Sequence, residues 1–330
     1  MAGATILDPT GPRLSAEEAR VLRDADPWGF ILFARNIESL DQTRALCDEL
    51  RQAVGRNAPI LVDQEGGRVQ RLRAPLATDW PPALEFAEAA GDGAVEAMRL
   101  RFTITALELR AAGIDVDCAP LADVALPETH PFLRNRCYGT DAARVASLAR
   151  AVAQGLMAGG VLPVVKHMPG HGRAQVDSHA DLPHVTAGWD ALDAVDFAPF
   201  KVLNDLPMAM TAHLLYDAID PEMPATLSPK VLQVIRNHLG YDGLVMTDDI
   251  SMQALSGDAE TRALAALDAG CDLVLYCNAP LADRARVAEA AGAMTPTAEA
   301  RAARALEARR DPATLDIDEL KAKLTALLNG

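Results

Sequence analysis

Residues 164–172 read Val-Val-Lys-His-Met-Pro-Gly-His-Gly, and an Asp-Ser-His triplet follows at residues 177–179. The two valines continue an apolar run that is typical of a buried β-strand. That run ends directly in a Lys-His pair, and a loop rich in Pro and Gly then carries a second His. Enzymes of the α/β class place reactive side chains at such junctions, because a rigid strand directs them into an open mouth. The stretch therefore predicts an α/β fold with a reactive site at the end of this strand.

Short apolar runs of the same kind recur along the chain. They lie at residues 5–7, 30–33, 60–62, 114–119, 161–166, 208–211, 244–247 and 273–276. Such near-continuous apolar runs suit strands that are buried on both faces of a parallel sheet. Helical patterns separate them, at residues 16–22, 40–50, 93–112, 142–158, 229–240 and 261–269, and one or two closing helices follow residue 297, with a break at Asp311-Pro312.

Eight strands that alternate with helices predict one closed (β/α)8 barrel, a TIM barrel, over residues 1–330. The alternative is an open, doubly wound sheet. That fold would carry a Gly-x-Gly-x-x-Gly turn after an early strand, and the sequence has no such turn. The sequence therefore favours the barrel, as a single domain.

Composition excludes several classes of partner. The formal net charge of -15 repels phosphate backbones and anionic membrane surfaces, so we expect neither nucleic acid nor a membrane as a partner. No apolar run is long enough to span a bilayer, and the first residues lack a signal-peptide pattern. The five cysteines are odd in number and show no Cys-x-x-Cys spacing, which indicates free thiols. We expect a cytoplasmic monomer that acts on a small molecule.

Polar side chains follow several of the predicted strands. They are Asp63 and Arg68 after the third run, Arg136 after the fourth, Lys166, His167 and His171 after the fifth, His213 after the sixth, and Asp248 and Asp249 after the seventh. Substrates bind at the carboxyl ends of the strands in a barrel of this kind. These side chains are therefore predicted to meet at one rim.

Two pairs of residues are candidates for the chemistry. A carboxylate at the end of a buried strand, as in Asp248-Asp249, is a candidate nucleophile or base. Neighbouring residues on a strand point in opposite directions, so we expect one Asp to face the mouth and the other to cap the following helix. In Asp177-Ser178-His179 a carboxylate can orient an imidazole and raise its basicity, which suits proton transfer near neutral pH.

A hydrolytic zinc site is the rival use of these side chains. His167, His171, His179 and Asp248 are all possible ligands. The spacing is not that of a helical His-Glu-x-x-His motif, and Lys166 would place a cation against the metal. We therefore expect neither a metal nor another cofactor.

The stretch at residues 166–179 closely resembles the signature of bacterial β-N-acetylhexosaminidases of glycoside hydrolase family 3. Residues 31–36, 62–71 and 247–252 resemble further motifs of that family, in the family's order. The similarity spans nearly the whole chain and looks like the short form, a single barrel without the family's second domain.

The resemblance implies a role for each candidate residue. Asp248 would be the nucleophile that forms a covalent glycosyl-enzyme with retention of configuration, and His179, oriented by Asp177, would be the acid/base. The hydroxyls of a terminal N-acetylglucosamine would be bound by Asp63, Arg136, Lys166 and His167. The resemblance assigns Arg68, His171, His213 and Asp249 a secondary role, behind these residues.

The implied activity is exo-hydrolysis of β-linked N-acetylglucosamine from cytoplasmic cell-wall fragments, especially N-acetylglucosaminyl-1,6-anhydro-N-acetylmuramic acid with or without peptide. Retaining glycosidases usually pair two carboxyl groups about 5 Å apart. A histidine in place of one adds no negative charge beside an anionic acceptor, so phosphorolysis is chemically open beside the hydrolysis that we favour.

Two further alternatives are a β-glucosidase or β-xylosidase of the same family and a non-catalytic sugar sensor. The former generally take their acid/base from a Glu outside the barrel.

Arg134 departs from the family pattern, in which a small residue stands there. It is either a ligand for an anionic group on the leaving side of the substrate or a surface arginine.

Overall fold

Eight parallel strands form the centre of the computed structural model, which describes residues 1–176, 182–311 and 314–329. They are β1 (Gly3–Leu7), β2 (Pro27–Leu32), β3 (Ile60–Val62), β4 (Val116–Asp117), β5 (Leu162–Met168), β6 (Met208–Thr211), β7 (Leu244–Met246) and β8 (Val274–Tyr276). The strands pair in the order β7-β6-β5-β4-β3-β2-β1-β8. A parallel bridge between Met246 and Leu273 joins the two ends, and the Thr247 amide donates to the Leu273 carbonyl at 3.0 Å. The predicted (β/α)8 barrel is confirmed.

Helices surround this barrel, and one of them closes an end of it. They are Ala16–Ala25, Leu40–Val54, Ala83–Ala89, Ala94–Ala111, Pro131–Arg134, Ala142–Ala158, Trp189–Ala191, Ala198–Val202, Pro229–Gln233, Ala259–Ala269, Leu281–Ala291, Pro296–Glu307 and Ile317–Leu328. Side-chain caps start several of them where the sequence predicted: Ser15 accepts from the Glu18 amide and Ser228 from the Val231 amide. The helix predicted over residues 229–240 ends as an α-helix at Gln233 and continues as a π-helical turn, Val234–His238. None of the described helices is long and apolar enough to cross a membrane.

Strand residues alternate between two apolar layers, as a period of two requires. One layer fills the barrel interior and includes Ile6, Ile31, Leu61, Val116, Val164, Met246 and Leu275. The other packs against the helices and includes Leu7, Phe30, Val62, Val165 and Val245. The sheet is therefore buried on both faces, which explains why its strands read as apolar runs in the sequence.

One end of the barrel is closed by a helix. The helix Pro296–Glu307 adds Ala298, Ala302 and Ala305 to the interior layer. Its Arg301 binds Asp272 and Asp242, which precede β8 and β7, each at 3.0 Å. The helix therefore lies across the amino ends of the strands and leaves the carboxyl ends as the open end.

Candidate active site

A pocket of about 460 Å³ opens at the carboxyl ends of the strands. Its lining includes eight residues that the sequence predicted for the site, namely Asp63, Arg68, Arg136, Lys166, His167, His171, Asp248 and Asp249. Seven segments of the chain contribute to it, which matches the predicted gathering of polar residues at one rim. Lys166 and His167 lie inside β5, which extends to Met168, rather than in the loop that follows.

One side of the pocket is a network of direct ion pairs. The Lys166 ammonium lies 3.0 Å from Asp63 Oδ1 and 2.6 Å from Glu65 Oε1. The Arg136 guanidinium donates to both oxygens of Glu65, at 2.9 and 2.8 Å. Arg71 binds the second oxygen of Asp63 at 3.0 Å. Two carboxylates and three cations therefore fix one another, and Lys166 is only 2 % exposed.

The charges in this network determine its protonation. Burial by itself would raise the pKa of the Glu65 carboxyl, but Arg136 and Lys166 lower that pKa to about 2. Burial opposes ionisation of Asp63 in the same way, and Lys166 and Arg71 nevertheless hold its pKa below its usual range. Burial disfavours the charged form of Lys166, yet the two carboxylates raise its pKa. All these groups are therefore ionised at neutral pH, despite their burial.

Glu65 was not assigned a role from the sequence. It lies on the short strand Gln64–Gly66, which pairs with Val69–Gln70, and it follows Asp63 by two residues. A spacing of two places both side chains on the same face of extended backbone, and that signal could have identified it. Arg101 holds the Glu65 carbonyl at 2.7 Å. Gly66, at φ +104°, leaves room for this contact, because a Cβ there would lie 2.0 Å from Arg101 Nη2.

A buried carboxylate orients His167. Asp123, which follows β4, accepts from His167 Nδ1 at 2.7 Å. Its other oxygen accepts from the backbone amides of His167 and His171, at 3.2 and 2.7 Å. Burial would raise the pKa of Asp123, but His167 lowers it, so the carboxylate is charged. The pair leaves Nε2 of His167 as the nitrogen available to a ligand. Asp123 was not predicted as a site residue, although its position after the neighbouring strand was the available signal.

Asp248 lies on the opposite side of the pocket, just after β7. Among the described residues, its hydrogen-bond donor is the Asp249 amide, at 2.8 Å from Oδ1. Burial would raise the pKa of Asp248, but interactions with His213, His167 and this amide hold it below its usual value. The result is an ionised carboxylate that faces the pocket without a direct cation partner in the described part of the chain.

The prediction that one Asp of the pair caps the following helix is wrong. Asp249 lines the pocket together with Asp248, and its Oδ1 accepts from the Ser251 amide at 2.9 Å. The loop continues to Asp258, which caps the helix Ala259–Ala269 instead. Asp249 is therefore held by the turn and by Cys277, whose thiol lies 2.8 Å from Oδ2.

His213 and His171 occupy different positions at the site. His213 is buried beneath the loop that carries Asp248, and its Nε2 lies 3.1 Å from the Asp249 carbonyl. His171 lines the pocket with its ring 5.4 Å from that of His167. Burial lowers the pKa of His171 to about 4, so the ring is neutral at pH 7. Its Nδ1 has no hydrogen-bond partner among the described residues.

Two arginines lie at the mouth or beyond it. The Arg68 guanidinium stacks on the Phe132 ring at 3.8 Å, at the exposed edge of the pocket. Arg134 donates to the Leu126 carbonyl and is not part of the pocket lining. The structure therefore gives Arg134 a role in holding its own loop.

The predicted acid/base pair lies outside the described residues. Asp177 and His179 both fall in the segment 177–181, so their assignment stays a prediction. His179 was also a ligand in the zinc alternative. Within the described ranges, no group of three or more His, Cys, Asp or Glu side chains is placed to hold a metal ion.

Comparisons with known proteins define the class. The family model for the N-terminal domain of glycosyl hydrolase family 3 matches residues 4–307. A β-hexosaminidase of Methylococcus capsulatus is 41% identical over 280 residues, which are 83% of each chain. A solved family 3 β-N-acetylglucosaminidase of Paenibacillus sp. has a TM-score of 0.88 and 30% identity, and the match covers 98% of this chain and 67% of that one. The Neisseria gonorrhoeae NagZ structure with N-trifluoroacetyl-D-glucosamine has a TM-score of 0.84 and 31% identity, over 99% and 96%.

The chain therefore belongs to glycoside hydrolase family 3. Within that family it is a glycoside hydrolase of the β-N-acetylhexosaminidase type, and its strands form one barrel.

Proposed function

We propose that this enzyme is a retaining exo-β-N-acetylglucosaminidase. Its substrates are muropeptide fragments in which N-acetylglucosamine is linked to 1,6-anhydro-N-acetylmuramic acid, with or without peptide. The observation that carries the proposal is the ionised Asp248 carboxylate. It faces a polar pocket, opposite a network of charged side chains that can bind sugar hydroxyls.

Asp248 is the proposed nucleophile. Its carboxylate attacks the anomeric carbon, and the glycosidic bond breaks as the leaving oxygen takes a proton from His179. Water then attacks the anomeric carbon of the covalent glycosyl-enzyme as His179 takes its proton, and the bond to Asp248 breaks. The two inversions produce net retention. The assignment of His179, with Asp177 as its orienting partner, rests on the family resemblance. The lowered pKa of Asp248 supports its part, because only the ionised carboxylate is a nucleophile.

The opposite side of the pocket binds the sugar in this proposal. Asp63, Lys166, Arg136 and His167 all line the pocket, and together they offer donors and an acceptor for several hydroxyls. Glu65 does not line the pocket. We assign it the task of fixing Lys166 and Arg136, since its two oxygens accept from both cations. Preformed charged partners bind hydroxyls without reorganisation at the moment of reaction.

The N-acetyl specificity rests on the named relatives. One solved relative is a β-N-acetylglucosaminidase, and another was crystallised with N-trifluoroacetyl-D-glucosamine. All five cysteines are buried and free, which supports work in a reducing compartment such as the cytoplasm. We also treat residues 1–330 as one domain, because the last helix packs Leu320 and Leu324 into the outer apolar layer.

The test compares p-nitrophenyl β-N-acetylglucosaminide with the matching β-glucoside, for the wild type and for Asp248→Ala, with a chelator throughout. We expect release from the N-acetylglucosaminide alone, and a loss of about 10³-fold or more in the variant. Activity only on the glucoside, or none without metal, would overturn the proposal. Repeating the assay in phosphate and identifying the sugar product separates hydrolysis from phosphorolysis.

A further inference from the structure

The side chain of Asp249 is held on three sides although it has no assigned part in the reaction. Its Oδ2 lies 2.8 Å from Cys277 Sγ. Its Oδ1 accepts from the Ser251 amide at 2.9 Å and from the Cys277 amide at 3.3 Å. A carboxylate with neutral donors on both oxygens has a fixed orientation, so the backbone of Asp249 is fixed as well.

The backbone of Asp249 is what contacts Asp248. Its amide donates to Asp248 Oδ1 at 2.8 Å, and its carbonyl accepts from His213 Nε2 at 3.1 Å. The opposite ring nitrogen of His213 lies 2.8 Å from Thr226 Oγ1. The Asp249 backbone is therefore held at two points: its side chain is bound by neighbouring donors, and its carbonyl, in the next peptide group, is bound by a buried histidine.

Cys277 is in turn fixed by the residue that follows it. Asn278 adopts φ +60°, a conformation that is uncommon for a residue other than glycine. Arg35 donates to Asn278 Oδ1 at 2.8 Å, and the Asn278 amide donates to Asp8 Oδ2 at 3.2 Å. These contacts come from the ends of β1 and β2, so the position of the thiol is set by neighbouring strands.

The chemistry of the thiol suits this use. Cys277 lines the pocket but is only 1 % exposed. Burial raises the pKa of this thiol well above its ordinary value, and Asp249 raises it further. The thiol therefore keeps its proton over the whole working pH range and remains a hydrogen-bond donor.

We propose that Asp249 is a positioning residue for Asp248, and that the thiol of Cys277 holds Asp249 in the orientation that delivers its backbone amide to Asp248. One oxygen of Asp248 is then anchored, and the other is directed at the anomeric carbon. This inference rests on the proposed role of Asp248 as nucleophile. The role that it assigns to Cys277 is separate from the binding of the sugar.

The test measures the rate at which a fluorinated N-acetylglucosaminyl fluoride labels Asp248, followed by mass spectrometry of the Asp248 peptide. Cys277→Ala removes the donor, and Cys277→Ser keeps one. We expect labelling about 10-fold slower in the alanine variant and within about three-fold of wild type in the serine variant. The value of kcat should fall while KM changes little, because the sugar ligands are untouched.

Cys47→Ala is the matched control. Cys47 is also a buried thiol, and its Sγ lies 3.6 Å from the Ala112 carbonyl on the helical side of the barrel. We expect Asp248 to be labelled at the wild-type rate in this variant, although its loss of stability should be similar to that of Cys277→Ala. A second readout is the acid limb of kcat/KM, which should move to higher pH in Cys277→Ala, because a weaker amide contact raises the pKa of Asp248.

The outcomes separate the two proposals. If the wild type is not labelled at Asp248, the proposed nucleophile is wrong. If it is labelled there and Cys277→Ala labels as fast as wild type, or if the serine variant is as slow as the alanine variant, the positioning role is wrong and the nucleophile stands.

Discussion

The two sides of the pocket hold their carboxylates in opposite ways. On the side formed by β3 and β5, which we call the ion-paired wall, Lys166 lies within 3.0 Å of both Asp63 and Glu65. On the side formed by β7 and β8, the neutral wall, Asp248 receives a backbone amide and Asp249 a thiol. Among the described residues, no cationic side chain contacts Asp248.

The difference shows how one residue type serves two purposes. A carboxylate in a direct ion pair has its charge satisfied, and it is suited to binding and to holding its partner. Asp248, which accepts one backbone amide, is ionised and keeps an oxygen for bond formation. The environment, rather than the side chain, distinguishes the proposed sugar ligand Asp63 from the proposed nucleophile Asp248.

The largest expected effect separates the two walls by chemical rescue. In Asp248→Gly, hydrolysis of a 2,4-dinitrophenyl β-N-acetylglucosaminide should fall about 10³-fold or more, and azide should restore turnover because it fits the vacated space. The product should be the α-glycosyl azide, identified by NMR. Asp63→Ala should also be slow, but azide should not rescue it. Rescue of Asp63→Ala, or of neither variant, would contradict the division between the walls.

The second effect concerns the stability of the ion-paired wall. Lys166→Met leaves the buried Glu65 and the partly buried Asp63 without their shared cation, and we expect a loss of about 3–5 kcal/mol in the free energy of unfolding at pH 7. Urea denaturation measures it. Adding Glu65→Gln should deepen the loss, because the buried Arg136 then loses the carboxylate to which it donates. A single variant within 1 kcal/mol of wild type would disprove the pairing argument.

A third effect contrasts Glu65 with another buried carboxyl, Asp117 at the end of β4. Asp117 Oδ1 accepts from the Gln64 amide at 3.0 Å, and Oδ2 has no hydrogen-bond partner among the described residues. Burial raises the pKa of Asp117 to about 8. The pKa of Glu65 is instead lowered to about 2, because Arg136 and Lys166 outweigh the effect of burial. The folded state therefore holds the Asp117 proton more tightly than the unfolded state does, and it holds the Glu65 proton less tightly.

The two carboxyls should consequently give opposite pH dependences. The contribution of Glu65 to the free energy of unfolding is present above about pH 4.5, its pKa in the unfolded chain. This contribution is lost as the pH falls toward 2. The Asp117 contribution declines as the pH rises from about 4 toward 8. From pH 5 to pH 8, the free energy of unfolding of Asp117→Asn should rise by about 1 kcal/mol or more relative to that of the wild type. Urea denaturation at both pH values measures this difference. Parallel curves for the two proteins would refute the assignment.

The smallest effect sets the baseline for ion pairs. Glu96 and Arg99 form a 2.5 Å pair on the helix Ala94–Ala111, with side chains 50 % and 40 % exposed. Glu96→Ala should change the free energy of unfolding by less than about 0.5 kcal/mol, because water screens the pair. A loss comparable to that of Lys166→Met would mean that burial is not what makes the ion-paired wall strong.

Local patterns predicted most of the fold. The runs 60–62 and 208–211 match β3 and β6, and the helix Ala142–Ala158 was predicted with its observed bounds. The helix Leu281–Ala291 was missed because few large apolar residues mark its inner face, and the helices between Trp189 and Val202 were missed as well. Sequence periodicity reports burial only where the buried side chains are large.

The sequence predicted most of the residues that line the candidate site but not the contacts between them. Asp63, Arg136, Lys166, His167 and Asp248 were named from their places after strands, and they line one pocket. Asp123, Glu65 and Cys277 were not assigned roles. Each acts through a partner distant in the sequence: 44 residues separate Asp123 from His167, and 71 separate Glu65 from Arg136.

The sequence by itself determined the eight strands, the end of the barrel that carries the chemistry and the residue types gathered there. Those features follow from local patterns of apolar and polar residues, which encode burial and chain direction. Only the tertiary structure decided which carboxylate is paired and which is held by neutral donors. Lys166 meets Asp63 across 103 residues of chain, and charge state depends on such distances because electrostatic interactions act through space rather than along the sequence.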